Sequence, residues 1–189
     1  MKDNLFLKYR YARVIFISLV CFLFVASCGI DQKKSEQKKD TAIAFLKYYR
    51  NEILKNKSIL LLDTPAYYSI QDCLLQVTYE KEYTLFDKED FSDEFHSTLW
   101  DKKSIDGVKL ISKENLPNIM NPQSMPNFRK NFGEGFYVFS HPIVSKDLKH
   151  ILFFTAYWCG ERCGYGSLEL YEKTKKGWRL VKKFCETVS

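Results

Sequence analysis

The sequence predicts an α+β protein in which an N-terminal amphipathic helix packs on a C-terminal antiparallel β-meander. Three observations predict it. Ala42, Phe45, Leu46, Tyr49, Ile53 and Leu54 fall mostly at three- and four-residue steps, the spacing of one apolar helix stripe. Ile151–Trp158 is an almost unbroken apolar and aromatic run, suited to a central strand covered on both faces. From there to Cys185, strand-like segments are joined by short connections, which favours antiparallel neighbours. With 46% apolar residues in 189, the composition is that of a globular chain of one domain. A solenoid and a polytopic membrane protein are excluded.

Met1–Arg13 carries Lys2, Lys8, Arg10 and Arg13 against the single acid Asp3. The 13 residues Val14–Ala26 hold no charge. A membrane helix needs about 20 apolar residues, so this run is too short to be one. A basic start, a short apolar run and small residues at its end make a secretory signal over residues 1–27. Its end, Val25-Ala26-Ser27-Cys28, resembles the lipobox of bacterial lipoproteins. The resemblance implies cleavage before Cys28, a diacylglyceryl group on its thiol and a fatty acyl chain, such as palmitate, on its amine. Two or more chains give stable anchoring, at about 0.8 kcal/mol per buried methylene.

Loss of four bases and one acid with the signal leaves 25 bases against 22 acids. No basic stripe interleaved with stacking aromatics remains, so nucleic acid is not an expected partner. The lysines and arginine of Lys173–Lys183 read as a turn and a solvated strand face. Gly29–Asp40 is polar, with Ile30 its one aliphatic residue, and reads with Cys28 as a flexible tether over 28–40. As coil its 12 residues span roughly 20 Å. Some Bacteroidota lipoproteins carry acidic pairs after the lipidated Cys as a surface-export signal. The isolated acids here point instead to an outer-membrane protein facing the periplasm.

The folded domain is expected over 41–189. Asp40 or Thr41 caps the helix Thr41–Lys55, and Asn56 stops it. Ile59–Leu62 reads as a buried strand ended by Asp63-Thr64-Pro65. Leu74–Tyr79 fits either a strand or the end of a helix capped at Ser69. Phe91–Trp100 has helical spacing, Val108–Ile111 reads as a strand, and Ser112 caps a brief helix. Pro117–Gly135 gathers three of the five prolines and is expected to be a long loop. Phe136–Ser140 and Pro142–Val144 are extended and lead into the turn Ser145-Lys146-Asp147. Ser167–Tyr171 alternates, with Leu168 and Leu170 on one side. Lys175-Lys176-Gly177 turns into the strand Trp178–Cys185.

Ser140, Pro142, Asp147, Tyr157, Cys159, Gly160, Cys163, Gly164, Gly166, Gly177 and Trp178 follow a Ser-x-Pro, Cys-Gly…Cys-Gly and Gly-Trp pattern. In this stretch, about residues 136–185, the chain resembles a group of Bacteroidota lipoproteins. The resemblance implies envelope localisation and a β-rich C-terminal region, and carries over no reaction and no functional residue.

Cys159-Gly-Glu-Arg-Cys163 is the most pointed local feature. It lacks the two-residue spacing of redox pairs at a helix N-terminus, and it supplies two zinc ligands where four are expected. A structural disulfide is the leading expectation, with free thiols, redox work and metal binding as alternatives. Nothing in the sequence pairs Cys73 with Cys185. Gly160, Gly164 and Gly166 precede no helix and no Lys-Ser/Thr, so they read as positive-φ hairpin residues rather than a phosphate loop. Ser140, His141 and Asp147 lack a nucleophile elbow. His96 and His150 complete the histidines and point to no catalytic assembly. Asp87, Glu89, Asp90, Asp93 and Glu94 lack EF-hand spacing and read as a solvated acidic turn. Tyr48, Tyr49, Tyr67, Tyr68, Trp100 and Trp158 fit core packing or a sugar-stacking platform.

The leading expectation is a lipid-anchored envelope protein with a non-catalytic binding or accessory domain. It needs no cofactor and no metal. Its partners would be the membrane, through the lipid on Cys28, and an unidentified envelope protein or ligand. The alternatives are an envelope thiol-redox protein or other enzyme using the Cys159/Cys163 loop, and a glycan-binding accessory protein.

Overall fold

A computed structural model describes residues 32–55, 58–91, 99–100, 105, 107–118, 124–160 and 163–188, without the side chains of 67–72 and 89. The chain divides into two units, Met1–Lys39 and Asp40–Ser189. Of the first, residues 32–39 are described, and they are helical where a flexible coil was expected. Gln, Lys and Glu are good helix formers, so local propensity favours a helix here. Cys28 lies outside the described residues.

The second unit holds helices and a mixed sheet of seven strands, an α+β architecture. Helix α1 (residues 40–48) passes into a π-helical turn, Tyr49–Ile53, closed by Leu54 N–H donating to Tyr49 O at 3.0 Å. Asp40 and Thr41 are therefore helical residues rather than caps. Strand β1 (Ile59–Leu62) follows, then helix α2 (Tyr67–Thr78). Ala66, just after Pro65, is the N-cap of α2, and its N–H donates to Phe139 O. Ser69 thus falls inside the helix. Two 3₁₀ turns, Lys81–Leu85 and Lys88–Phe91, lead away from α2. Most of the helix expected over Phe91–Trp100 lies outside the described residues.

Strand β2 (Val108–Ile111) is followed by a 3₁₀ turn, Lys113–Asn115. The long loop expected over 117–135 contains instead a nine-residue helix, α3 (Ser124–Phe132). Pro126 sits in its first turn, where the missing N–H has no helical acceptor to lose. Phe128 and Phe132, one turn apart, have ring centroids 5.3 Å apart. Gly133, at φ +101°, ends the helix by donating to Arg129 O at 3.0 Å.

Strands β3 (Phe136–Phe139), β4 (Ile143–Val144), β5 (His150–Gly160), β6 (Cys163–Thr174) and β7 (Gly177–Val188) complete the sheet. The order is β2-β1-β3-β5-β6-β7, with β4 beside β5. All neighbours from β3 onward are antiparallel, whereas β1 runs parallel to both β2 and β3. The sheet is therefore mixed, not a meander alone. Ile59–Leu62 has no tight connection to a neighbour, so its apolar run inserts between two strands far along the chain.

Ile151–Thr155 is buried at every position, because the sheet carries a layer on each face. On the first face Phe45, 0% exposed, lies 5.2 Å from Phe153, 5.0 Å from Tyr171 and 5.5 Å from Trp178, centroid to centroid. On the second face Leu152, Phe154, Leu168, Leu170 and Phe184 cluster with Cys73, Leu74 and Val77 of α2. Leu60, Ile111 and Phe136 extend that face and cluster with Phe128 of α3.

Trp178 joins the first-face cluster and Phe184 the second, although both lie on β7 an even number of residues apart. The register explains it. Leu170 faces Lys182 while Tyr171 faces Leu180, so Val181 is an extra residue that reverses the alternation.

Candidate functional site

Along the second face, the sequence puts small residues on neighbouring strands. Ala156 of β5 faces Gly166 of β6, and Trp158 faces Gly164. A Cβ on Gly166 would stand 3.1 Å from the Ala156 Cβ and 3.3 Å from Thr187 Oγ1. Gly164 and Gly166 were expected in a positive-φ hairpin loop. They lie inside β6, which begins at Cys163, and only Gly160 of the three has positive φ, at +138°. Their role is to be narrow.

The result is a cavity of about 580 Å³. Phe136, Val138, Phe154 and Trp158 wall it from the sheet, and Leu62, Leu116 and Pro117 line it as well. Cys73 lines it from α2, and Cys185 and Thr187 line it from β7. Tyr157 and Tyr165 also contribute. Among the described residues that line it, none carries a charge at neutral pH. The volume falls within the roughly 300–1,000 Å³ of small-molecule sites, which are mostly apolar with a few polar groups.

Cys185 reaches this wall through a second β-bulge. Gly166 faces Thr187 and Leu168 faces Phe184, so Cys185 and Glu186 together oppose Ser167. Cys185 takes φ +49°, a left-handed conformation that non-glycine residues seldom adopt. Cys73 and Cys185 are outside the disulfide found among the described residues.

That disulfide joins Cys159 to Cys163, with Cα atoms 5.1 Å apart. The pair bridges the end of the β5–β6 hairpin, where the register shifts between Trp158 and Gly160. Arg129 Nη2 donates to Cys159 O at 3.1 Å, tying α3 to the same end of β5 that supplies Trp158 to the cavity.

The other candidates separate. Ser140 Oγ accepts the Phe154 N–H at 2.9 Å, on the sheet. Asp147 instead closes the next turn, accepting from Ser145 Oγ and the Lys149 N–H, with His150 Nδ1 at 3.5 Å. Burial opposes ionisation of Asp147, but these hydrogen bonds outweigh it and hold the carboxyl below its usual range. His141 packs its ring 4.2 Å from that of Trp100. No Ser/His/Asp line is assembled. His96, Asp93 and Glu94 lie outside the described residues. Among the described residues no three His, Cys, Asp or Glu side chains are grouped to hold a metal. Tyr49 and Trp100 belong to the first-face core while Trp158 lines the second-face cavity, so these aromatics form no common platform. The basic side chains of β7 meet acids: Lys182 pairs with Glu80 at 2.8 Å and Arg179 with Glu172 at 2.6 Å.

One buried polar cluster escaped the sequence reading. Glu169, 7% exposed, accepts from Ser167 Oγ at 2.9 Å and from Tyr171 Oη, with Lys183 Nζ 3.6 Å away. Burial, then the bond to Glu169, pushes the Tyr171 phenol well above its usual range. Both carboxylate oxygens are satisfied on a covered face, which suits a staple between β6 and β7 better than a reacting group.

Ala156, Cys185 and Thr187 carried no recognised motif, and the pattern that includes Gly166 named no cavity. The available signal was Gly164-x-Gly166 continuing the alternation of Ser167–Tyr171, two missing side chains on one strand face. Neither a family model, nor a curated protein, nor a solved structure matches the chain.

Proposed function

We propose that the chain is a lipid-anchored protein of the cell envelope, and that its α+β domain is a non-catalytic binding module whose ligand occupies the second-face cavity. In this reading the N-terminal helix is a permanent cover on one face of the C-terminal meander, and the cavity beside α2 on the other face is left for the ligand. The observation that carries it is the cavity of about 580 Å³ with no charged side chain among its described wall residues. A largely apolar wall of this volume is the kind that holds a small apolar ligand.

The basic start, the uncharged run and the Val25–Cys28 box support anchoring through lipid on Cys28. The isolated acids after Cys28 favour an outer-membrane position facing the periplasm. Metabolic labelling with a clickable fatty acid tests the anchor. Label on the wild type and none on Cys28→Ser is expected, and equal labelling of both refutes it. Native mass spectrometry of protein taken from its own envelope tests the binding. An apolar adduct that Ala156→Leu loses is expected. A bare chain that no compound of a mixed apolar panel protects from heat would overturn the binding module.

A further inference from the structure

We infer that the cavity takes one hydrocarbon chain, the acyl chain of a fatty acid or a lipid, laid across the strands. The inference rests on the cavity being the ligand site and adds what the ligand is.

Length points to it first. The lining runs from Leu62 on β1 through Val138 on β3, Ala156 on β5 and Gly164 on β6 to Thr187 on β7. Four interstrand steps of about 4.8 Å make a trough of roughly 19 Å. An acyl chain in one leaflet of a bilayer with a core of about 30 Å reaches roughly 15 Å, so the trough accommodates one chain lengthwise.

Chemistry points the same way. The described wall residues offer no charge to pair with an ion, and burying an unpaired ion is costly, so a neutral chain suits the trough. Leu62 and Leu116 make the apolar end. The other end is where Thr187 is exposed, and it brings a hydroxyl and solvent together. A chain would therefore enter with its methyl end toward β1 and leave its headgroup in water beside β7. Two thiols in the wall add polarisable surface without a hydrogen-bonding demand.

The test uses the full chain in an amphipol without free detergent, and cis-parinaric acid as the probe. Saturable one-to-one binding is expected, weakened about tenfold or more in Ala156→Leu, which fills the trough floor. Maleimide labelling of wild-type Cys185, located by peptide mapping, should slow severalfold when the probe saturates. Because this second readout needs no variant, it decides the matter if Ala156→Leu does not fold. Displacement by palmitate alone assigns the site to free fatty acid. Displacement by phospholipid vesicles alone assigns it to a lipid chain. Absence of saturable binding, or saturation that leaves Cys185 labelling unchanged, overturns the inference. Protection of Cys185 by a compact aromatic such as naphthalene, with none by either acyl source, would keep the binding site and reject the chain.

Discussion

Cys73 of α2 and Cys185 of β7 line the same cavity, although they come from opposite ends of the domain. The first is placed by helix packing, the second by a bulge that turns its backbone to φ +49°. A left-handed L-residue costs roughly 1–2 kcal/mol, so the edge strand carries strain where it meets the cavity.

Comparing Cys185→Gly with Cys185→Ala isolates that strain, since both lose the thiol and only alanine keeps a Cβ. The glycine variant should be the more stable by about 1 kcal/mol in urea unfolding. Equal midpoints would mean that the bulge relaxes at no cost.

Phe45 has no exposed surface and meets three rings of the sheet. Its truncation to alanine should cost about 3–5 kcal/mol, read as a lower denaturant midpoint with unchanged slope. A midpoint within error of the wild type would show that α1 leaves the sheet readily.

Non-reducing peptide mapping should recover Cys159 linked to Cys163. A peptide joining either one to Cys185 would overturn the pairing. Four positions separate the pair, so its closed loop is short. Reduction should therefore lower stability by less than the roughly 3 kcal/mol estimated for a 15-residue loop.

Asp147 gives the fold an acid limb. Its folded carboxyl titrates below the ordinary value of about 3.9, so its contribution is complete above that pH and is lost as pH falls through the folded value. Solvent screens the effect, because the side chain is 43% exposed. Asp147→Asn should be less stable than wild type at neutral pH, with the difference shrinking as pH drops below 4. A constant difference across that range would assign the loss to packing.

Elements set by local pattern could be read from the sequence, while features set by distant partners could not. The stripe through Phe45 and Tyr49 and the run Ile151–Thr155 announce their burial by periodicity alone. Ile59–Leu62 is legible as a strand, yet nothing local says that it pairs with Val108–Ile111 and Tyr137. Helix α3 was hidden because Pro126 reads as a breaker unless it lies in a first turn. The cavity was least legible of all, being made of volume that Ala156, Gly164 and Gly166 leave unfilled. The left-handed backbone at Cys185 has no composition cue, since glycine is the residue normally sought there.

The position of β1 has a consequence for biosynthesis. Its four apolar residues leave the ribosome long before β2 and β3, the two strands that flank it. Strands β5, β6 and β7 pair with neighbours close in sequence, whereas β1 waits for loop closures across much of the domain. Until then Ile59–Leu62 is an unpaired, uncharged β segment, the kind that seeds aggregation. A nascent or translocating form of this chain should therefore depend on a holding chaperone that shields residues 59–62, and that demand should end when Phe136–Phe139 becomes available to pair.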